Sequence, residues 1–129
     1  MAKHVFLSFV EEDLAHVNLF RGQAKNKKSD LVFDDYSVKV PYNSESAPYI
    51  RAQIKEKIRS ASVTIVLLGP TTSSSKWVDW EIETSYALGN KVLGVKLYSD
   101  KACPTPAALI ARGAKVLGWD IDAIVKEIG

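Results

Sequence analysis

The chain has 129 residues, of which 47% are hydrophobic and 25% charged, a balance typical of one globular domain. The formal net charge is only +2, so composition gives no support for binding to nucleic acid or to an acidic membrane surface. The single cysteine, Cys103, excludes an intrachain disulfide and a cysteine-rich metal site. We therefore expect one domain over residues 1–129, with no metal and no resident cofactor.

The first half of the chain alternates short apolar runs with helical patterns. Residues 5–9 form a β-rich run that predicts a buried strand, and a helical pattern follows it. Residues 31–33 predict a second strand. The segment from Asp34 to Ser46 lacks a helical period and predicts a long loop, a kind of segment that is often functional. A helix is then predicted from Pro48, with isoleucines along one face.

The second half continues the alternation. Residues 63–68 are apolar without interruption, which is typical of a parallel strand covered on both faces. A helix follows over residues 77–88, then a strand over 92–97, a short strand over 115–117 and a last helix from Ile121. The order predicts a doubly wound α/β fold with a mainly parallel five-stranded sheet flanked by helices.

Ligands of such sheets bind beyond the carboxyl ends of the strands. Three segments are predicted to project there, namely residues 8–12, 34–46 and 69–77. Trp77 and Glu81 stand at i and i+4, so they share one face of the helix that the third segment starts. A carboxylate beside an aromatic wall can stabilise a developing positive charge or bind a diol. The same spacing also suits a surface carboxylate beside packed tryptophans, so this pair alone does not identify a reaction.

Two familiar chemistries of this fold class lack their motifs. A response-regulator receiver needs a phosphoacceptor aspartate where the third strand ends, but residues 67–70 read Leu-Leu-Gly-Pro. A Rossmann or P-loop enzyme needs a glycine-rich phosphate turn, and neither GxGxxG nor GxxxxGK[ST] occurs in the chain.

Four segments of the chain carry a family likeness. They are HVFLSFVEED, FDDYSVKVPYNSES, SVTIVLLGPTTSSSKWVDWEIETSYALG and KVLGVKLY. In this order and spacing, from His4 to Tyr98, the chain resembles the TIR-like domains of the Thoeris anti-phage defence type. The resemblance implies an enzyme that cleaves NAD⁺ as its substrate, with Glu81 as the essential glutamate of a W-x-x-x-E motif. It also implies a product derived from ADP-ribose, such as a cyclic isomer, that activates an effector protein.

Further contacts with NAD⁺ are expected around Glu81. The end of the first strand should offer main-chain N–H groups and an aromatic face, and the 34–46 loop should act as a lid. The expected contact residues are Ser8, Phe9, Val10, Asp35, Ser37, Ser44 and Trp77.

Other readings remain open at this stage. A TIR-like domain can be a non-enzymatic module that self-associates or docks on a partner, and a nucleotide-sensing domain is a third possibility. A phage-derived trigger is also compatible with the resemblance. The apolar run near the N-terminus is too short for a signal peptide and no segment is of membrane length, so a cytoplasmic location is expected.

Overall fold

The computed structural model describes residues 3–27, 29–36 and 40–129. Five strands form one sheet: β1 (Lys3–Ser8), β2 (Leu31–Asp34), β3 (Val63–Leu68), β4 (Lys91–Lys96) and β5 (Lys115–Leu117). Five α-helices flank it: α1 (Leu14–Asn26), α2 (Ala47–Arg59), α3 (Lys76–Ala87), α4 (Ala107–Ala111) and α5 (Ile121–Ile128). Short 3₁₀ turns at Glu11–Asp13 and Thr72–Ser74 precede α1 and α3.

The strand order is β2-β1-β3-β4-β5, and all four pairings are parallel. Every residue of β3 is buried, as its unbroken apolar sequence predicts for a central strand. The chain leaves β1 toward β2 and then crosses to β3 on the other side, so the strand order reverses between β1 and β3. In open α/β sheets such a reversal opens a crevice at the carboxyl ends of the strands. The predicted doubly wound fold is confirmed.

The helices cover both faces of the sheet. The first layer packs α1 and α5 on the sheet through Phe20, Ile121 and neighbouring residues. The second layer packs α2, α3 and α4 on the opposite face. Because side chains alternate along a strand, Val5 and Leu7 of β1 face the first layer, while Phe6 and Ser8 face the second. This alternation points Ser8, at the carboxyl end of β1, toward α3.

Local sequence signals explain where α3 begins and ends. Ser75 is the N-cap, and its hydroxyl accepts a hydrogen bond from the main-chain N–H of Val78 at 3.2 Å. The helix stops before Gly89, whose φ of +82° lies in the left-handed region that glycine adopts at low cost. No helix in the described ranges is long and apolar enough to cross a membrane.

Candidate functional site

The central contact of the site joins the end of β1 to α3. The Ser8 hydroxyl donates a hydrogen bond of 2.6 Å to Oε1 of Glu81. Both side chains are fully buried, with 0% exposure. Carboxylates are rarely buried in proteins unless they are paired or hydrogen-bonded, and the Ser8 hydroxyl is such a partner for Glu81.

A second set of hydrogen bonds anchors the main chain of α3 at Glu81. Ser85, one turn further along, donates its hydroxyl to the main-chain oxygen of Glu81 at 2.7 Å. The Ser85 oxygen lies 2.7 Å from the Thr64 hydroxyl of β3. Because Ser85 donates its only hydroxyl proton to Glu81, Thr64 is the donor in the Thr64–Ser85 pair. The helix is thereby tied to the central strand beneath Glu81.

Trp77 forms a wall one helical turn before Glu81. Its side chain is 9% exposed, and its indole N–H donates a hydrogen bond of 2.7 Å to the main-chain oxygen of Val40. The Tyr42 ring packs edge-on against the indole at 5.2 Å between centroids. Arg51 of α2 lies 5.0 Å over the Tyr42 ring and donates a hydrogen bond to the main-chain oxygen of Tyr42. The segment 40–42 is thus held by Trp77 through the Val40 carbonyl and one ring contact, and by Arg51 through the Tyr42 carbonyl.

A cavity of about 360 Å³ opens at the carboxyl edge of the sheet, between the end of β1 and the segment 40–42. Its lining residues are Phe9, Val10, Glu11, Glu12, Val40, Pro41, Ser75 and Trp77. The volume lies at the small end of the usual range for ligand pockets, so the cavity suits part of a dinucleotide. Glu81 is not in the lining, and its side chain is fully buried in this conformation.

The structure brings together some of the predicted site residues. Phe9, Val10 and Trp77 line the cavity, and Ser8 contacts Glu81. Phe9 is 5% exposed and its side chain belongs to the α1–α5 layer, so its main chain is the part that can serve a ligand.

Two of the predicted loop contacts, Asp35 and Ser44, are not in the cavity lining. Asp35 forms an ion pair of 2.6 Å with Arg21 of α1. The main-chain N–H of Ser44 donates to the Pro41 carbonyl within a turn, and its hydroxyl oxygen is buried without a hydrogen bond in the described structure. Ser37 falls outside the described residues.

Sequence reasoning did not single out Val40 and Pro41 as cavity residues or Tyr42 and Arg51 as supports of the wall. Val40 acts through its carbonyl, which no side-chain pattern reveals. The aromatic and cationic pair Tyr42 and Arg51 was the available signal, because such residues often stack.

A second buried carboxylate lies elsewhere on the same edge of the sheet. Asp13 is 3% exposed and its Oδ1 accepts a hydrogen bond of 2.8 Å from the Tyr98 hydroxyl. The other oxygen packs against Gly69, where an added Cβ would lie 2.1 Å from Oδ2. Burial of the ring and the hydrogen bond to Asp13 raise the pKa of Tyr98 to about 12. Within the described residues no group of three or more His, Cys, Asp or Glu side chains is arranged to hold a metal ion.

The fold and the site define a class of protein. The structure superposes on the TIR domains of the activated Roq1 resistosome, described as directly recognising the pathogen effector XopQ, with a TM-score of 0.53 and 18% identity. That match covers 98% of this chain and 69% of the other. At this level of identity the likeness establishes a TIR-type fold.

Sequence comparison identifies the family within that class. A family model described as "Thoeris protein ThsB, TIR-like domain" matches residues 6–102, so the chain belongs to the ThsB TIR-like domain family. A relative from Bacillus cereus (strain MSX-D12), named "Putative cyclic ADP-D-ribose synthase ThsB1", is 32% identical over 105 residues. The match covers 78% of this chain and 55% of the relative, so the chain matches about half the length of that protein. The predicted family is confirmed.

Proposed function

We propose that the chain cleaves the nicotinamide–ribose bond of NAD⁺ and converts the ADP-ribose part into a defence signal, with Glu81 as the catalytic carboxylate. The observation that carries the proposal is the buried Glu81 carboxylate, one helical turn from the aromatic wall of a cavity at the strand-order reversal. The name of the Bacillus cereus relative, a cyclic ADP-D-ribose synthase, supports a cyclic ADP-ribose isomer as the product.

The chemistry suits a site with one carboxylate. When the bond between the nicotinamide nitrogen and the ribosyl carbon breaks, its electron pair goes to the pyridinium nitrogen, and nicotinamide leaves as a neutral molecule. No acid is needed to protonate this leaving group. The ribosyl carbon becomes cationic, as in glycoside hydrolysis, and a nearby carboxylate stabilises it. An adenine nitrogen or a ribose hydroxyl then bonds to that carbon, and a hydroxyl nucleophile loses its proton to solvent.

Substrate access requires a movement at the wall. Glu81 has no solvent-accessible surface, and the segment 40–42 is held on Trp77, one helical turn before it. Displacing this segment breaks the hydrogen bonds that Trp77 and Arg51 donate to it and one edge-on ring contact, a cost of about 2–5 kcal/mol that binding energy can supply. Return of the segment over bound substrate would exclude water, which favours cyclisation over hydrolysis.

The test is incubation of the purified protein with NAD⁺ and chromatography of nicotinamide and the nucleotide product. Glu81→Gln keeps the side-chain size and removes the negative charge, so nicotinamide release should fall by about a thousandfold. Glu83→Gln is the matched control on the same helix, because Glu83 is exposed and pairs with Arg112, and release should stay near the wild-type rate. Full activity of Glu81→Gln would remove Glu81 from the proposed role.

The non-enzymatic alternative has one observation in its favour, namely that Glu81 is not among the residues that line the cavity. An interaction module has no need to open this carboxylate to a substrate. Absence of nicotinamide release, both at high protein concentration and in the presence of phage components, would favour the non-enzymatic interaction module. Binding of NAD⁺ without cleavage would favour a sensing domain instead. The effector that the product activates and the phage-derived trigger are part of the same proposal, as is self-association.

A further inference from the structure

The side chain of Ser8 has a task that its place at a strand end did not predict. From sequence, Ser8 was expected to offer its main-chain N–H to a ligand. In the structure its hydroxyl instead donates to the Glu81 carboxylate at 2.6 Å, between two side chains that are both fully buried. Hydrogen bonds from a hydroxyl to a carboxylate at such a distance belong to the strong, charge-assisted class.

The two partners differ greatly in how firmly the fold holds them. Ser8 is the last residue of β1, paired in register with Val66 of the fully buried β3, and its hydroxyl is one bond from Cβ. The glutamate side chain has three rotatable bonds between its Cα and the carboxylate. The hydrogen bond therefore transfers the fixed position of a central strand to the flexible end of Glu81.

We propose that Ser8 is the positioning residue of Glu81, holding Oε1 so that the carboxylate is already oriented when the ribosyl cation develops. The proposal rests on the proposed cleavage of NAD⁺. Ser8 itself need not touch the substrate, so its loss should affect the chemical step rather than substrate affinity. Small errors in the placement of a catalytic group cost one to two orders of magnitude in rate.

The experiment measures kcat and KM for nicotinamide release in Ser8→Ala, Ser8→Cys and Ser85→Ala. Ser8→Ala should lower kcat by about 10- to 100-fold and leave KM within about twofold. Ser8→Cys keeps the approximate size and a weak donor, so its kcat should fall between those of Ser8→Ala and the wild type.

Ser85→Ala is the matched control because it deletes a hydroxyl of the same kind, equally buried and bonded to the same residue. The Ser85 hydroxyl bonds to the main-chain oxygen of Glu81 at 2.7 Å, whereas that of Ser8 bonds to the carboxylate. Its kcat should fall clearly less than that of Ser8→Ala, because the helical hydrogen bonds of α3 still hold the main chain at Glu81, and thermal unfolding should show the three variants folded.

The outcomes separate this proposal from the function on which it rests. Normal kcat in Ser8→Ala and Ser8→Cys, with an active wild type, would overturn the positioning role and leave NAD⁺ cleavage standing. Equal losses in Ser8→Ala and Ser85→Ala would also overturn it, because general loosening of α3 would then suffice. An inactive wild type overturns the function and this proposal together. If Ser8→Ala does not fold, wild-type kcat in Ser8→Cys overturns the proposal, and an intermediate kcat supports it.

Discussion

Two buried carboxylates lie at the carboxyl edge of the same sheet, and they have different surroundings. Glu81 is 0% exposed and Asp13 is 3% exposed, and each accepts a hydrogen bond from a buried or partly buried hydroxyl. Glu81 lies one turn from a wall that borders a cavity of about 360 Å³. Asp13 packs directly on Gly69. Burial and a hydroxyl partner are therefore common to both carboxylates, which differ in their neighbours: Glu81 lies one turn from Trp77, a residue of the cavity lining, and Asp13 packs on a glycine.

The largest effect is expected where Asp13 meets Gly69. Gly69→Ala should destabilise the fold by about 2 kcal/mol, because the new Cβ would lie 2.1 Å from Oδ2 of Asp13 and one of the two must shift. Chemical denaturation measures the change. Gly22→Ala is the control, since nothing lies within 4 Å of its added Cβ in α1, and it should stabilise the fold slightly. Equal stability of the wild type and Gly69→Ala would show that the contact between Asp13 and residue 69 is loosely packed.

The second prediction concerns the partner of Asp13. Because the pKa of Tyr98 is raised to about 12 in the folded protein, its neutral form is favoured there relative to the unfolded chain. The corresponding stability is present below pH 10 and is lost as the pH rises from 10 to 12. Ultraviolet titration of tyrosinate should show a late-titrating signal that Tyr98→Phe reduces, while Tyr86, whose pKa is also raised by burial, contributes to it in both proteins. If the late-titrating signal is undiminished in Tyr98→Phe, the assignment of the raised pKa to Tyr98 is wrong.

A smaller effect is expected at the Trp77 wall, one helical turn before Glu81. Trp77→Phe removes the indole N–H that donates to Val40, so the segment 40–42 should open more often. Hydrogen exchange should measure this as about tenfold faster exchange of the Ser44 amide, which donates within the adjoining turn. Trp80→Phe keeps the indole–Val40 bond and should leave that amide unchanged. Similar rates in both variants would mean that the bond does not hold the segment.

The smallest predicted effect is a change in nicotinamide release, and it tests the comparison of Asp13 with Glu81 most directly. Asp13→Asn should retain nicotinamide release within about threefold, because its side chain faces Tyr98 and Gly69 rather than the cavity. Steady-state kinetics measures this beside Glu81→Gln. A folded Asp13→Asn protein that loses release as completely as Glu81→Gln would place both carboxylates in the reaction.

Local patterns in the sequence were sufficient to predict the scaffold. The apolar run of β3 and the helical pattern over residues 77–88 both lie in the residues that form these elements, and the structure agrees with each. The helical spacing of Trp77 and Glu81 likewise depends on five consecutive residues of one helix. These features follow from short-range geometry, which is why a single sequence reveals them.

The contacts that complete the site are of another kind. Ser8 meets Glu81 across 73 residues of sequence, and Tyr98 meets Asp13 across 85. No local period encodes such pairs, since they exist only once the strands are in register. The expected ligand role of Asp35 illustrates the limit, because its nearest charge partner, Arg21, lies on a different element. The roles of the predicted site residues in NAD⁺ cleavage remain predictions.

The way in which the segment 40–42 is held has a consequence for sequence changes at the mouth of the cavity. Trp77 and Arg51 both donate hydrogen bonds to main-chain carbonyl oxygens, those of Val40 and Tyr42. Every amino acid has such a carbonyl. Side chains at the mouth of the cavity can therefore change over evolutionary time while the segment keeps its place. Substitutions at the mouth of the cavity can thus change its shape while both anchoring hydrogen bonds persist.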